Sequence, residues 1–382
     1  MPDRPHASQT PQGGTSRTGD TNWSGTHIPT APANFPSQYE VLSQASASLT
    51  DASNLEADPK PYVAPFGERE RGWTIPDMYS TVDENGRTYQ GFMPGEYSLP
   101  NDGEEQDRQD FQHALYNIIL DGKLASAPIR SPKHILDIGT GTGIWAIDAA
   151  ELWPSARVIG TDLSLIQAAP RTSNCHFFLE NSETQDWVYS SPFDYIHLRS
   201  VGPCFTDIRT VFQKAYNHLA PGGWIELQDG AWELYSLNNT SRGSAFERWL
   251  ALIKVGSLNQ GRDMTKIRSH RDYLKQVGFV NIGEKETPVP TSPWAKDRKS
   301  KKMGYFLGSS MLSALEPYRK TIGSAGLSPE EIDELVAAVK QELLDLRNHW
   351  FMPACVIYAQ KPFNQEYGTG GQTHFKQEPG KP

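Results

Sequence analysis

Ile135-Leu136-Asp137-Ile138-Gly139-Thr140-Gly141-Thr142-Gly143-Ile144-Trp145 is the stretch whose reading decides the fold. A short apolar run that ends in an acid and passes into three alternating glycines predicts a buried strand turning sharply into a helix, with the backbone bared at the turn. Gly139, Gly141 and Gly143 lack a Cβ, so the turn can take positive φ and a ligand can approach the main chain, while the next helix points its first N–H groups outward. Spacing narrows the ligand class. A dinucleotide fingerprint reads G-x-G-x-x-G/A, and its last position would fall on Ile144; the observed pattern is D-x-G-x-G-x-G. The third glycine comes one residue early, and Asp137 is an odd choice beside a pyrophosphate. A nucleoside carrying an amino acid, such as S-adenosylmethionine, fits better. A glycine-rich turn with no ligand is the plain alternative.

Outward from this turn, strand and helix alternate. Strands are expected at 133–138, 157–160, 175–179, 195–198 and 224–227, with helices through Leu152 and over 207–219 and a turn at 220–223. Asp162 follows the second strand, 23 residues beyond Gly139 (162 − 139), near the ~20 at which a strand-end acid reaches ribose hydroxyls. Strands separated by amphipathic helices predict βαβ units, a parallel sheet and ligands at the carboxyl ends of the strands.

After Asp229 the alternation breaks. Phe246, Trp249, Leu250 and Ile253 mark one helix, Ile267, Leu274 and Val277 another that Gly278 can cap, and 279–286 reads as a strand. A helix follows over 303–315, preceded by the basic run Lys296 to Lys302, which reads as a solvated helix entry, with a nuclear-import or acidic-partner patch as the alternative. Ser328-Pro329-Glu330-Glu331 has the form of a capping box with Pro at the first helical position. The strand 354–360 closes the set. The fold class is therefore α/β: a Rossmann-like, seven-stranded, mostly parallel sheet whose last strand is antiparallel, with a helical insert and disordered termini.

Upstream, Phe111, Leu115, Ile118 and Ile119 give 104–121 a helical stripe that Gly122 can stop. Trp73, Tyr79, Tyr89, Phe92 and Tyr97 lie among turn signals in 66–100, as a lid over a site or as anchors for the segment; both readings stand. Residues 1–65 are rich in Pro, Ser, Thr, Ala and Asn and are expected to be disordered, and so is the polar tail 363–382. The expected division is 1–65 tail, 66–130 aromatic segment and helix, 131–362 α/β domain and 363–382 tail.

A net charge of −9 and pI near 5.6 argue against a bulk electrostatic footprint for nucleic acid or anionic membrane. Cys175, Cys204 and Cys355 form no C-x-x-C pair, so neither a disulfide framework nor a metal site is indicated. No apolar h-region opens the chain and no run nears the ~18 apolar residues of a membrane helix. The expectation is a soluble protein of the cytoplasm, with the nucleus as a second compartment.

HILDIGTGTGIWAID, ARVIGTDLS, NCHFFLENSETQDW, PFDYIHLRS and HLAPGGWIELQD stand in an order and spacing that resemble the class I S-adenosylmethionine-dependent methyltransferases. More narrowly they are similar to the fungal group related to LaeA, as are residues 97–108, 291–297, 328–331 and 358–362; the resemblance covers 86–362. It implies that Asp137, Gly139, Thr140, Gly141 and Gly143 hold the methionine portion of the cofactor side, and Asp162 with Leu163 the ribose. Asn181 falls where the family usually has Asp facing the adenine amino group, and its amide carbonyl can still accept that hydrogen bond. Arg199 lies where the cofactor's reactive end and the substrate meet, or pairs with Asp229 or another strand-end acid.

The implied function is S-adenosylmethionine-dependent methyl transfer to a small-molecule acceptor in fungal secondary metabolism. A LaeA-type regulator acting through protein partners is the alternative, and a Rossmann oxidoreductase is disfavoured by the glycine spacing. His197, Asp229 and His349 are conceivable bases, each read as structural, so no catalytic base is named. No metal, direct nucleic-acid or membrane partner is expected.

Overall fold

The computed structural model describes residues 81–84, 86–202 and 204–363. The expected tail 1–65, Trp73 and Tyr79 of the aromatic segment, and the C-terminal tail beyond Phe363 lie outside them.

Strands β1 (Thr81–Glu84) and β2 (Arg87–Gln90) pair antiparallel, a hairpin that the sequence marks only by a turn signal. Helix α1 (Gly103–Ile119) begins at Asp102, whose carboxylate accepts the Glu105 N–H at 3.1 Å and Arg87 Nη2 at 2.7 Å. One acid thus satisfies an orphan helix N–H and ties the hairpin to the helix.

The predicted alternation follows as β3 (His134–Ile138), α2 (Ile144–Leu152), β4 (Arg157–Asp162), β5 (Cys175–Leu179), β6 (Phe193–Arg199), α3 (Ile208–His218) and β7 (Leu219–Gly230). Beyond it come β8 (Tyr235–Ser236), α4 (Ala245–Asn259), a 3₁₀ turn at Met264–Ser269, α5 (His270–Val277) and β9 (Val280–Pro290). Helices α6 (Arg298–Ala314), α7 (Arg319–Gly323) and α8 (Pro329–Leu344) then lead into β10 (Trp350–Gln360). The basic run enters α6 and its Lys296, Arg298 and Lys299 are exposed, as a solvated helix entry should be. Ser328 and Glu331 form the reciprocal capping box at α8.

Across the sheet the order is β5-β4-β3-β6-β7-β10-β9, seven positions wide, with β10 antiparallel to both neighbours. The two-residue β8 adds an eighth strand beyond β7 on the same edge of β10. Two expectations change. Residues 220–223 do not end one element before the next: Leu219 already pairs with Phe193, and the register slips before Trp224 meets Tyr195, so the glycines form a bulge inside β7. Strands β9 and β10 also run longer than their apolar cores, because each is held by the other along its length.

The order places the reversal between β3 and β6, so the crevice at their carboxyl ends is where an open α/β sheet binds ligands. One sheet face packs α3 and α5 through Val211, Phe212, Ala215 and Leu274; the other packs α2 and residues 124–127 through Trp145, Ala146 and Ala149. A third core, built on Phe246, Trp249, Ile253, Met311 and Trp350, joins the insert helices to α1 and β10.

Buried Glu226 on β7 fastens residues 124–127 by accepting the N–H groups of Ser126 at 2.9 Å and Ala127 at 2.7 Å. Glu226→Leu leaves the buried Ala127 N–H and the half-buried Ser126 N–H without this acceptor and should cost about 2–4 kcal/mol of unfolding free energy, read as a lower urea midpoint. An unchanged midpoint would show that this clamp is not used.

Candidate functional site

At the β3 and β6 ends opens a cleft of about 1180 Å³, solvent at its mouth included. Its floor is a buried carboxylate. Asp137 Oδ2 accepts the Thr140 hydroxyl at 2.6 Å, and Oδ1 lies 2.7 Å from His197 Nδ1, which donates because a carboxylate only accepts. The His197 ring stacks on Trp145 with centroids 3.7 Å apart and planes within 8°. Two strands and the first turn of α2 therefore fix the position of one acid.

Above it the glycine turn bends as the sequence requires, Gly139 at φ 66° and Gly141 at φ 57°. A Cβ on Gly139 would meet Val201 Cγ1 at 3.1 Å. Asp162 at the end of β4 supports the turn: its carboxylate accepts the N–H of Gly141 at 2.8 Å and of Ser164 at 3.0 Å. Burial pushes its pKa up to about 6, against the opposing pull of these N–H groups. Gln167 Nε2 closes the rim by donating to the carbonyls of Gly141 and Ser164, both at 2.8 Å.

At the cleft's far end the Asn181 amide oxygen accepts the N–H groups of Glu183 at 3.0 Å and Thr184 at 3.1 Å. These two donors fix the amide orientation and occupy the carbonyl, which leaves Nδ2 facing Met93 Sδ at 3.5 Å. Arg199, past β6, donates to His113 Nδ1 at 3.0 Å and lies over the Tyr116 ring. An arginine can only donate, so His113 carries its proton on Nε2 toward Asp148, and burial holds its pKa down. Asp229 is not the partner of Arg199; its carboxylate accepts the N–H groups of Gly202 at 2.7 Å and Gly230 at 2.8 Å.

Asp137, Gly139, Thr140, Gly141, Asp162, Leu163, Asn181 and Arg199 all line the cleft. Gly143 does not. It caps α2 at φ 79°, and a Cβ there would stand 2.6 Å from the Phe177 ring, so this glycine serves helix–strand packing. The cleft also takes in residues that local spacing could not reveal: Asn101, Arg108, Gln109 and Gln112 from α1 and its approach, and Ser164 beyond Leu163. Asn101 and Arg108 fall in the 97–108 block of the family resemblance and Ser164 ends the ARVIGTDLS block, whereas Gln109 and Gln112 carry no such signal. Among the candidate bases, His197 lines the cleft, whereas His349 packs against Trp294 away from it.

A second chamber of about 690 Å³, open solvent included, adjoins the cleft, and the two share Tyr97, Leu99, Arg108, Gln112 and Ser200 as walls. Among the described residues no cluster of three metal-ligating side chains occurs, and no helix is long and apolar enough to cross a membrane.

The family model described as a methyltransferase domain matches residues 111–284, which contain the glycine turn, Asp162, Asn181 and Arg199. Methyltransferase pytC of Aspergillus terreus is 35% identical over 285 residues, 73% of this chain and 88% of that protein. The secondary metabolism regulator laeA of Aspergillus fumigatus is 30% identical over 296 residues, 75% of this chain and 78% of that one. Among solved structures, phosphoethanolamine N-methyltransferase 2 of Haemonchus contortus, in complex with phosphomonomethylethanolamine and S-adenosylhomocysteine, aligns at a TM-score of 0.44 and 18% identity over 69% of this chain and 57% of that chain. By its identity to pytC and LaeA across most of their length, the chain belongs to the methyltransferases related to these fungal secondary-metabolism proteins.

Proposed function

We propose that the chain is an S-adenosylmethionine-dependent methyltransferase that acts on a small-molecule acceptor. The observation that carries the reading is the pairing of a bared glycine turn with the part-buried Asp162 carboxylate on one side of the cleft and a fixed Asn181 amide at its end. The donor set fits that cofactor. Asp162 keeps acceptor positions for ribose hydroxyls beyond its two backbone bonds. Gly139 and Gly141 leave room for the amino-acid portion where a Cβ would crowd it, and Asp137 lies beneath with its charge toward an ammonium group. Leu163 gives the ribose an apolar neighbour. Asn181 offers an N–H donor in place of the family's carboxylate, so it meets a ring nitrogen of the base and not the exocyclic amine.

When bound, the cofactor supplies an already activated methyl group on sulfur. The chain's part is then to orient the acceptor, exclude water and accept a proton where the acceptor carries one. Arg199, held by His113 and Tyr116, gives the cleft a fixed cationic wall.

A regulatory role exerted through protein partners is the second reading, favoured by the 30% identity to a relative named as a secondary metabolism regulator. Deleting the gene and profiling metabolites separates the two: one undermethylated product supports the enzyme, and loss of many unrelated products supports the regulator.

Gly141→Val places a branched side chain at φ 57° with its Cβ against Gln109, and should abolish S-adenosylhomocysteine binding in calorimetry while far-ultraviolet circular dichroism stays folded. Undiminished binding would sink the cofactor assignment. The pH dependence has a definite sign. Two ribose hydroxyls bind an ionised carboxylate better than a protonated one, and burial puts the free Asp162 at about 6, so the apparent Kd should rise as the pH falls below 6, by up to about tenfold per unit, and stay flat above 7. A Kd that does not change between pH 5 and 7 would exclude Asp162 as the ribose ligand.

A further inference from the structure

The second chamber lies where the insert meets the strand ends. Tyr97, Leu115, Tyr116, Leu307, Met311 and Tyr318 surround it from the α1 approach, α1, α6 and the segment after α6, and Met352 closes it from β10. Such a lining suits a flat apolar molecule, and walls from two helices, their flanking segments and a strand suit a small one. Two non-glycine residues on its wall, Ser200 at φ 55° and Trp232 at φ 51°, hold strained backbone, a cost that concentrates at functional sites.

Its polar groups are few and of opposite kind. Arg108 gives Nε and Nη2 to Glu105 at 2.7 and 2.6 Å, so Nη1 is the donor left for the two cavities that this side chain lines. Asp229 is buried and, among the described residues, pairs with no cation; its two oxygens take only backbone N–H groups. Tyr116, Tyr318, Cys204 and Cys355 face it, and burial raises the pKa of each, so all four stay neutral at pH 7. Arg108 is the charged neighbour in the same chamber, already matched by Glu105. Burial pushes Asp229 up to about 6, which suits a group that takes a proton near neutral pH.

From this arrangement we infer that the second chamber is the acceptor site, that it takes a flat hydroxyaryl compound with a carbonyl beside the hydroxyl, and that Asp229 is the base. The inference rests on the cofactor reading above. The hydroxyl hydrogen passes to the Asp229 carboxylate, and the oxygen uses a lone pair to bond the methyl carbon. The carbon–sulfur pair leaves with sulfur, which turns from sulfonium to neutral thioether, while Arg108 Nη1 holds the neighbouring carbonyl.

The test uses the full-length protein with 1-hydroxy-2-acetonaphthone and 1-naphthylamine as probes. Calorimetry measures probe binding in the presence of S-adenosylhomocysteine, and radiolabel from methyl-tritiated cofactor measures transfer. The hydroxyketone should bind and be methylated, and the amine should not. Met311→Trp fills the chamber and should weaken hydroxyketone binding at least tenfold with S-adenosylhomocysteine binding unchanged. Asp229→Asn should lower kcat about a hundredfold at pH 7 and recover as the pH approaches ~10, where a phenol ionises unaided. Failure of S-adenosylhomocysteine to bind the wild type would remove the cofactor reading itself. Given that it binds, three results overturn the acceptor assignment: no hydroxyketone binding or transfer, preference for the amine, or Met311→Trp without effect. An Asp229→Asn loss that is equal at every pH would make Asp229 structural and overturn its role as base.

Discussion

The site depends on one constraint: a carboxylate buried at the end of β3 must be satisfied there. Withdrawing such a charge from water costs several kcal/mol, and removing one partner of a buried pair typically costs 3–5 kcal/mol. Asp137 meets the demand with Thr140 from the turn above it and His197 from the adjacent strand. That choice propagates. The imidazole must lie flat on Trp145, the Trp145 indole N–H must reach the Leu124 carbonyl at 3.1 Å, and the same short segment is held by Glu226 from β7. The glycine turn is thus set on a rigid base that spans three strands, and its backbone N–H groups stay oriented without help from a ligand.

The shape of the cleft was legible because its information is local. A turn that needs positive φ is written in glycines, and an acid at a strand end is written in spacing, so Gly139, Gly141 and Asp162 could be placed from the chain alone. Gly143 shows the limit of that reasoning. It has the glycine spacing of a ligand contact, yet Phe177, 34 residues on (177 − 143), decides that it packs. Asn181 is similar: its identity was readable, but which amide atom faces the cleft depends on the two N–H groups that follow it. The contribution of α1 left no periodic trace, since Arg108 and Gln112 become site residues only when the helix lies across the sheet's carboxyl edge. For the same reason the bulge in β7 and the short β8 follow from pairing with β6 and β10, partners that no local pattern names.

Cofactor and acceptor sides are built from different parts of the chain. The first draws on β3 to β6, whose alternating pattern carries the shared fold. The second draws on α1, the insert and β10, where Tyr97, Leu307, Met311 and Tyr318 define the apolar walls. Relatives that keep the first and change the second would keep methyl-transfer chemistry and change the molecule that receives it. Arg108, Gln112 and Ser200 belong to both walls, and a change at any of them should be felt on both sides.

The most direct measurement is a crystal structure of the full-length protein with S-adenosylhomocysteine. The account predicts the ribose hydroxyls on the Asp162 carboxylate, the amino-acid portion over Gly139 and Gly141, and the sulfur directed toward the wall formed by Arg108 and Ser200. A ligand bound elsewhere, or bound in the cleft with Asp162 turned away from the ribose, would contradict it.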